Sequence, residues 1–461
     1  MIDGLKPYPE FRKSGVPWAE NLPTHWRTER AKWLFRKMDR PVRAEAEVVT
    51  CFRDGVVTLR KNRRLRGFTE AFFEFGYQGI RKGDLVIHAM DAFAGAVGVS
   101  DSDGKGTPVY SVCQPQPGVN PNFYALAIRE MARSQWILAL SRGIRERSTD
   151  FRFDTFGGQR VPLPPLDEQN QIGNFLDHAS GRIERAIRAK KKLIALLNEQ
   201  KQSIVHHAVT RGLNPNVALK PSGIPWLGDI PKHWEVRRNS RLFDERLEKG
   251  RAGLPLLVVS LRTGVTEGSE VDEDGRPKRL IADVTCYKFA AQGDIAYNMM
   301  RMWQGAVGLV PKDGLVSPAY VVAKPRAGVF SDYYELLFRT NGCKNEVNRN
   351  SRGIVSDRNR LYWDQFKRLY HPLPPIQEQR QIVSHIKSET NLLNVAISRT
   401  EREIGLLREY RTRLVADVVT GKLDVRAAAA KLPADLPVAE AITEIAAEDA
   451  EGPEAIGEDE T

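Results

Sequence analysis

The chain has 461 residues, with 69 Lys+Arg against 58 Asp+Glu, a net charge of +11, and 41% hydrophobic and 28% charged residues. That balance excludes wholesale disorder, a collagen-like fibre and a membrane bundle, and the length suits two to four domains. No run of 18 or more apolar residues is present to span a bilayer, and the opening MIDGLKPYPEFRKSG lacks the apolar stretch of a secretory signal.

In chain order, SGVPWAENLPTHW at 14–26 opens a segment of short β-branched or aromatic runs separated by Gly, Pro and Asp turns. LVIHAM (85–90), AVGVS (96–100) and TPVYSV (107–112) read as strands, and 122–140 as a helix. A double proline, Pro164-Pro165, then opens a proline-free stretch to Ala208. Apolar residues recur there at Ile172, Leu176, Ala179, Ile183, Ala186, Leu193, Leu197, Ile204 and Ala208, which reads as a heptad seam. Proline suits a first helical turn, Glu168 lies at its positive dipole end, and Gly212 stands as a stop.

The same order then repeats. SGIPWLGDIPKHW stands at 222–234, and LLVVSL (256–261) and SPAYVV (317–322) read as strands. A helical stretch at 333–342 and a second double proline, Pro374-Pro375, follow. The second seam is Ile382, Ile386, Leu393, Ala396, Leu407, Leu414 and Val418, with Glu378 in its first turn and Gly421 past its end. Residues 161–213 align with 371–423 without a gap, with 18 identities in 53 positions. The chain is therefore a tandem duplication of a unit of about 210 residues. A helix of about 45 residues is ~67 Å long and, with a one-sided apolar stripe, needs a partner. The nearest candidate is its own repeat, paired antiparallel. The expected fold is α+β (mixed α/β): globular domains at 1–160 and 214–370, and long helices at 161–213 and 371–423 forming an antiparallel coiled coil. After Lys431 no basic residue follows, and ten acids fall in the remainder, so 1–431 carries +21. Residues 424–461 read as an acidic, disordered tail, and the basic body points to a polyanionic partner.

Motifs for chemistry are sparse. No GxxxxGK[ST] phosphate loop, HExxH helix, GxSxG elbow, Asn/Asp-Pro-Pro-aromatic tetrapeptide or spaced Cys/His set occurs, and Cys51, Cys113, Cys286 and Cys343 are scattered. Gly83-Asp84 and Gly293-Asp294 read as turns opening strands. His25 and His233, each beside a tryptophan, read as packing residues. The basic clusters carry more information. Arg60, Lys61, Arg63, Arg64 and Arg66 lie within seven residues, and Arg276, Lys278 and Arg279 with nearby Arg262 form a counterpart. Arg142 and Arg352 recur in two SRGI segments. Guanidinium forks suit phosphate and the O6/N7 edge of guanine. MDAFAGAVG (90–98) aligns with MRMWQGAVG (300–308), so Asp91 faces Arg301 and Ala94 faces Gln304. Acid, arginine and glutamine discriminate bases, so these positions are candidates for reading different sequences; a different filling of each core is the alternative.

The two LPP[LI]xEQ segments (163–169, 373–379), the paired SG[VI]PW segments and the GD[LI]…GAVG cores (83–98, 293–308), duplicated in one order, resemble the specificity subunit of type I restriction-modification enzymes. The resemblance covers the chain to about residue 423. It implies two target-recognition domains, each reading half of a split DNA site, spaced by the coiled coil. It also implies two docked modification subunits that methylate adenine N6 with S-adenosylmethionine, with restriction subunits using ATP and Mg, and no catalysis or cofactor in this chain; separately, the four scattered thiols and the missing export signal fit a reducing cytoplasm. Half-sites about one turn apart, ~34 Å or ~10 bp, give an unread spacer of roughly 5–8 bp. Three alternatives stand beside it: an adaptor lending the reader to a lone methyltransferase in a related phage-defence system, an enzyme with its own recognition domains, and a coiled-coil adaptor that binds only proteins.

Overall fold

The computed structural model describes residues 5–63, 75–140, 150–268, 284–353 and 359–432. It is mixed α and β, as expected. The chain divides into two compact units, one of residues 1–189 with 403–461, the other of 190–402. Each long helix is therefore shared, one part going to each unit.

The first unit is built on a four-stranded antiparallel sheet in the order Phe35–Lys37, Tyr110–Pro115, Leu85–His88, Val97–Val99. The strand Leu85–His88 is apolar on both faces because both are covered. Leu85 and Ile87 join the main core with the helix Pro121–Arg133, while Val86 packs with Val49, Cys51 and Val57 of a hairpin on the opposite face. The second unit repeats this with Phe243–Glu245, Tyr320–Pro325, Ile295–Asn298 and Val307–Leu309. Ile295 and Tyr297 face the main core, and Ala296 faces the hairpin strands Leu257–Ser260 and Gly264–Glu267. Each hairpin crosses its sheet very closely. A Cβ at Gly98 would lie 1.9 Å from the Gly55 carbonyl oxygen, and one at Gly308 would lie 2.5 Å from the Val265 nitrogen.

The expected helix over 122–140 is two helices, Pro121–Arg133 and Trp136–Leu140. Gln135 between them has φ +63°, a conformation that ends a helix, and the break lets Ile137 reach the core. The expected helix over 333–342 likewise ends early, at Phe338. The Thr340 hydroxyl then caps a new one, Asn341–Asn350, by accepting from the Cys343 N–H.

The long helices run Leu166–Arg211 and Ile376–Val419, and Gly212 and Gly421 follow with φ +75° and +69°. Within the first unit, Ile172, Leu176 and Ala179 pack with Leu414 and Val418, and Arg411 donates to Glu184 at 2.8 Å. Within the second, Ala208 and Val209 pack with Ile382, Val383 and Ile386, and Lys201 donates to Asn394 at 2.8 Å. Both pairings are antiparallel. The seam of the first helix differs from the heptad reading in its middle. Ile187 is buried beside the half-buried Ala186, and Leu193 is exposed while Ile194 is half-buried. A strict 3.5-residue repeat drifts away from a straight helix of 3.6 residues per turn, and one extra step of four restores the facing side.

The two duplicated motifs prove to be partners. In the first unit the buried Glu168 carboxylate accepts from Tyr8 Oη, from Trp26 Nε1 at 3.1 Å and from His25 Nε2 at 2.9 Å. Gln169 accepts from the Asn120 N–H at 2.9 Å and donates to the Pro164 carbonyl at 2.9 Å. In the second unit Glu378 accepts from His233 at 2.7 Å, and Gln379 repeats the pattern with the Phe330 N–H and the Pro374 carbonyl, each at 2.8 Å. The Glu-Gln pair thus fastens the start of each long helix to its globular part, beyond the dipole role read from sequence. Residues 424–432, expected in the tail, pack on the first unit. Asp424 bridges Lys6, Arg426 lies 5.2 Å over the Tyr8 ring, and Val425 is buried. Residues 433–461 lie outside the described residues. Asp84 and Asp294 of the Gly-Asp turns are buried and pair with Arg40 and Arg246, which gives those turns a structural role.

Candidate nucleic-acid interface

The features that differ most between the two units lie where the outer hairpin meets the turn after the central strand. In the first unit this turn is the 3-10 segment Ala92–Ala94, preceded by Asp91; in the second it is Met302–Gln304, preceded by Arg301. Hairpin register fixes the other equivalence. Cys51 pairs with Val57, and Val259 with Val265, so the loop Arg53-Asp54-Gly55 corresponds to Leu261-Arg262-Thr263.

In the first unit this place is neutralised. Arg53 donates to Asp91 at 2.9 Å, and Arg63 donates to Asp54 at 2.9 Å while stacking 4.5 Å from the Phe52 ring. Lys61 is paired with Glu47, and Arg60, half-buried, reaches Thr50 Oγ1 at 3.4 Å. Lys61 and Arg63 of the basic cluster are therefore laced to local acids. Burial pushes the neighbouring His88 down, although Asp91 pulls the other way.

In the second unit the same place is a cavity of about 630 Å³ lined by Ser260, Arg262, Thr263, Asn298, Arg301 and Tyr320, among others. Both arginines are exposed, and among the described residues neither guanidinium has an acidic partner. Their backbones are firmly held. Ser260 Oγ accepts from the Arg262 N–H at 3.1 Å, and Arg339 donates to the carbonyls of Leu261 and Arg262 at 2.6 and 2.8 Å. The Arg301 N–H donates to the Asn298 carbonyl at 3.1 Å, and its own carbonyl accepts from Gln304 and Ala306. Burial pushes the Tyr320 hydroxyl up, against the Val259 N–H and the nearby Arg301.

No family model matches the chain. It is 25% identical over 280 residues to a protein of Methanocaldococcus jannaschii assigned as the type I restriction enzyme MjaX specificity subunit, covering 58% of this chain and 60% of that one. It is 24% identical over 326 residues to the MjaVIII specificity subunit of the same organism, covering 66% and 70%. In sequence the chain is therefore similar to specificity subunits of type I restriction enzymes. It spans about 60% of the length of the first of these relatives. A chain solved in work on complex assembly and conformational transition of the type I R-M system superposes with TM-score 0.61 at 16% identity, over 86% of this chain and 98% of that one, which shows a shared fold.

Among the DNA-binding candidates read from sequence, Arg262 and Arg301 are brought to one cavity. Asp91 lies in the equivalent place of the first unit. Gln304 is exposed at the end of the turn that Arg301 begins. Arg352 lies elsewhere, in a backbone bridge with Arg360. Arg64, Arg66, Arg142, Arg276, Lys278 and Arg279 lie outside the described residues. Sequence reading missed Arg53, Asp54, Asn298, Arg339 and Tyr320. The duplication carried a signal for two of them, since Arg129 and Arg339, and Tyr110 and Tyr320, are 210 apart, but nothing in the pattern said that they meet. Among the described residues no helix is long and apolar enough to cross a membrane.

Proposed function

We propose that this chain is the DNA-reading subunit of a type I restriction-modification complex. It recognises a bipartite site in double-stranded DNA with an unread spacer, one half per globular domain. It scaffolds two adenine-N6 methyltransferase subunits and, with them, restriction subunits, in the cytoplasm. In this reading it is not itself an enzyme, and S-adenosylmethionine, ATP and Mg are used by the partner subunits. The observation that carries the reading is the duplication: two copies of one scaffold with different surface chemistry, each fastened through a Glu-Gln motif to a long helix. The alternative, an adaptor for a lone methyltransferase in a related phage-defence system, shares the reader and differs only in partners.

The test is to express the chain with a modification subunit in a host free of adenine methylation and to map N6-methyladenine. A split motif that appears only with this chain supports the reading, and methylation independent of the chain refutes it. Binding of the assembled complex to its motif should weaken steeply with salt, because phosphate contacts release counterions. A protein-only adaptor would give no DNA binding at any salt concentration.

A further inference from the structure

We infer that Arg262 and Arg301 are the specificity-determining residues of the second domain, and that together they read guanine in its half-site. The inference rests on the DNA-reading function proposed above and names the base that one site takes.

Two guanidiniums on rigid turns share one cavity without a carboxylate to neutralise them among the described residues. Two positive charges lining one cavity favour a ligand that offers hydrogen-bond acceptors. Two acceptors side by side are what a guanine presents in the major groove, through O6 and N7, and an arginine fork matches them. Phosphate oxygens are acceptors too, and the comparison of the two copies separates these sources. Every half-site has phosphates, so a phosphate-contacting position should be cationic in both copies. Here one position inverts: Asp91 stands for Arg301, whereas the loop that carries Arg262 holds both Arg53 and Asp54 in the first unit. The supporting frame does not change, since Arg339 clamps the loop in the second unit and Arg129 lies against Gly55 of the loop in the first. A position that switches between acid and arginine on an unchanged frame varies as the base varies. The fixed backbones matter as well, because an Arg on a mobile loop would lose entropy on each contact and discriminate less.

The experiment uses the full chain assembled with its modification subunits, and maps methylated motifs for the native protein and for Arg301→Ala, Arg262→Ala and Arg301→Lys. The expected result is a native motif with guanine in one half. That guanine becomes degenerate in the two alanine variants, while the other half is unchanged. Loss of methylation at all sites equally, with the motif intact, identifies a phosphate contact and overturns the inference. So does a native motif with no guanine in either half. A native protein that directs no split motif overturns the functional reading itself, a distinguishable failure. Should the variants fold poorly, the native complex is titrated with duplexes of its own motif carrying 7-deazaguanine at that position. Affinity should fall by about 5- to 150-fold, and unchanged affinity refutes the contact.

Discussion

His371 offers a prediction that isolates one buried group. It is fully buried in the second unit, with Nδ1 2.7 Å from Asn239 Oδ1 and Nε2 3.4 Å from Cys343 Sγ, and the Phe338 ring lies 5.0 Å away. Burial holds the imidazole down at about 3, against an ordinary 6.5. The folded chain therefore binds fewer protons than the unfolded one below pH 6.5. Stability is fully present above 6.5, falls as pH drops, and stops falling near pH 3. At pH 5 the loss relative to pH 7.5 is about 2 kcal/mol from this group alone. The first unit shows how to remove it, because Val161 and Ala31 occupy the places of His371 and Asn239. The assay is urea unfolding followed by hydrogen exchange of the strand Tyr370–Leu373, at pH 7.5 and pH 5, for the native chain and for N239A/H371V. The native chain should lose about 2 kcal/mol more than the variant over that interval. Equal losses would refute the assignment of the pH dependence to His371.

Glu168→Gln removes a buried charge-assisted acceptor of three donors and should destabilise the first unit by about 2–3 kcal/mol, seen as a lower urea midpoint. Glu378→Gln, where Glu378 pairs with His233 and both side chains are partly exposed, should cost about 1 kcal/mol or less; the reverse order would contradict the fastening role. Arg40→Leu strands the buried Asp84 carboxylate and should cost about 3–5 kcal/mol. Thermal unfolding should show R40L/D84N more stable than R40L, and no rescue would mean that packing rather than charge is lost. Gly98→Ala places a methyl into the Gly55 carbonyl and should lower stability by at least about 3 kcal/mol, measured by the same melt.

Much of this architecture is written in the chain. The duplication, the double prolines that start each long helix, the glycines that end them and the strands around Leu85 and Ile295 follow from local rules, because they depend on φ limits, periodicity and side-chain volume. The helix break at Gln135 was not legible, since glutamine carries no signal for a left-handed φ and core packing of Ile137 decides it. Only the tertiary structure decided the chemistry of the candidate site. Lys61 and Arg63 read as DNA-binding cations in sequence, yet Glu47 and Asp54 pair with them, whereas Arg262 and Arg301, 39 residues apart, line one cavity. Charge partners are set by which turns the sheet brings within a few ångströms, and spacing along the chain does not encode that distance. The sequence by itself therefore determined the repeat and its helices, and the fold determined which charges remain available to a ligand.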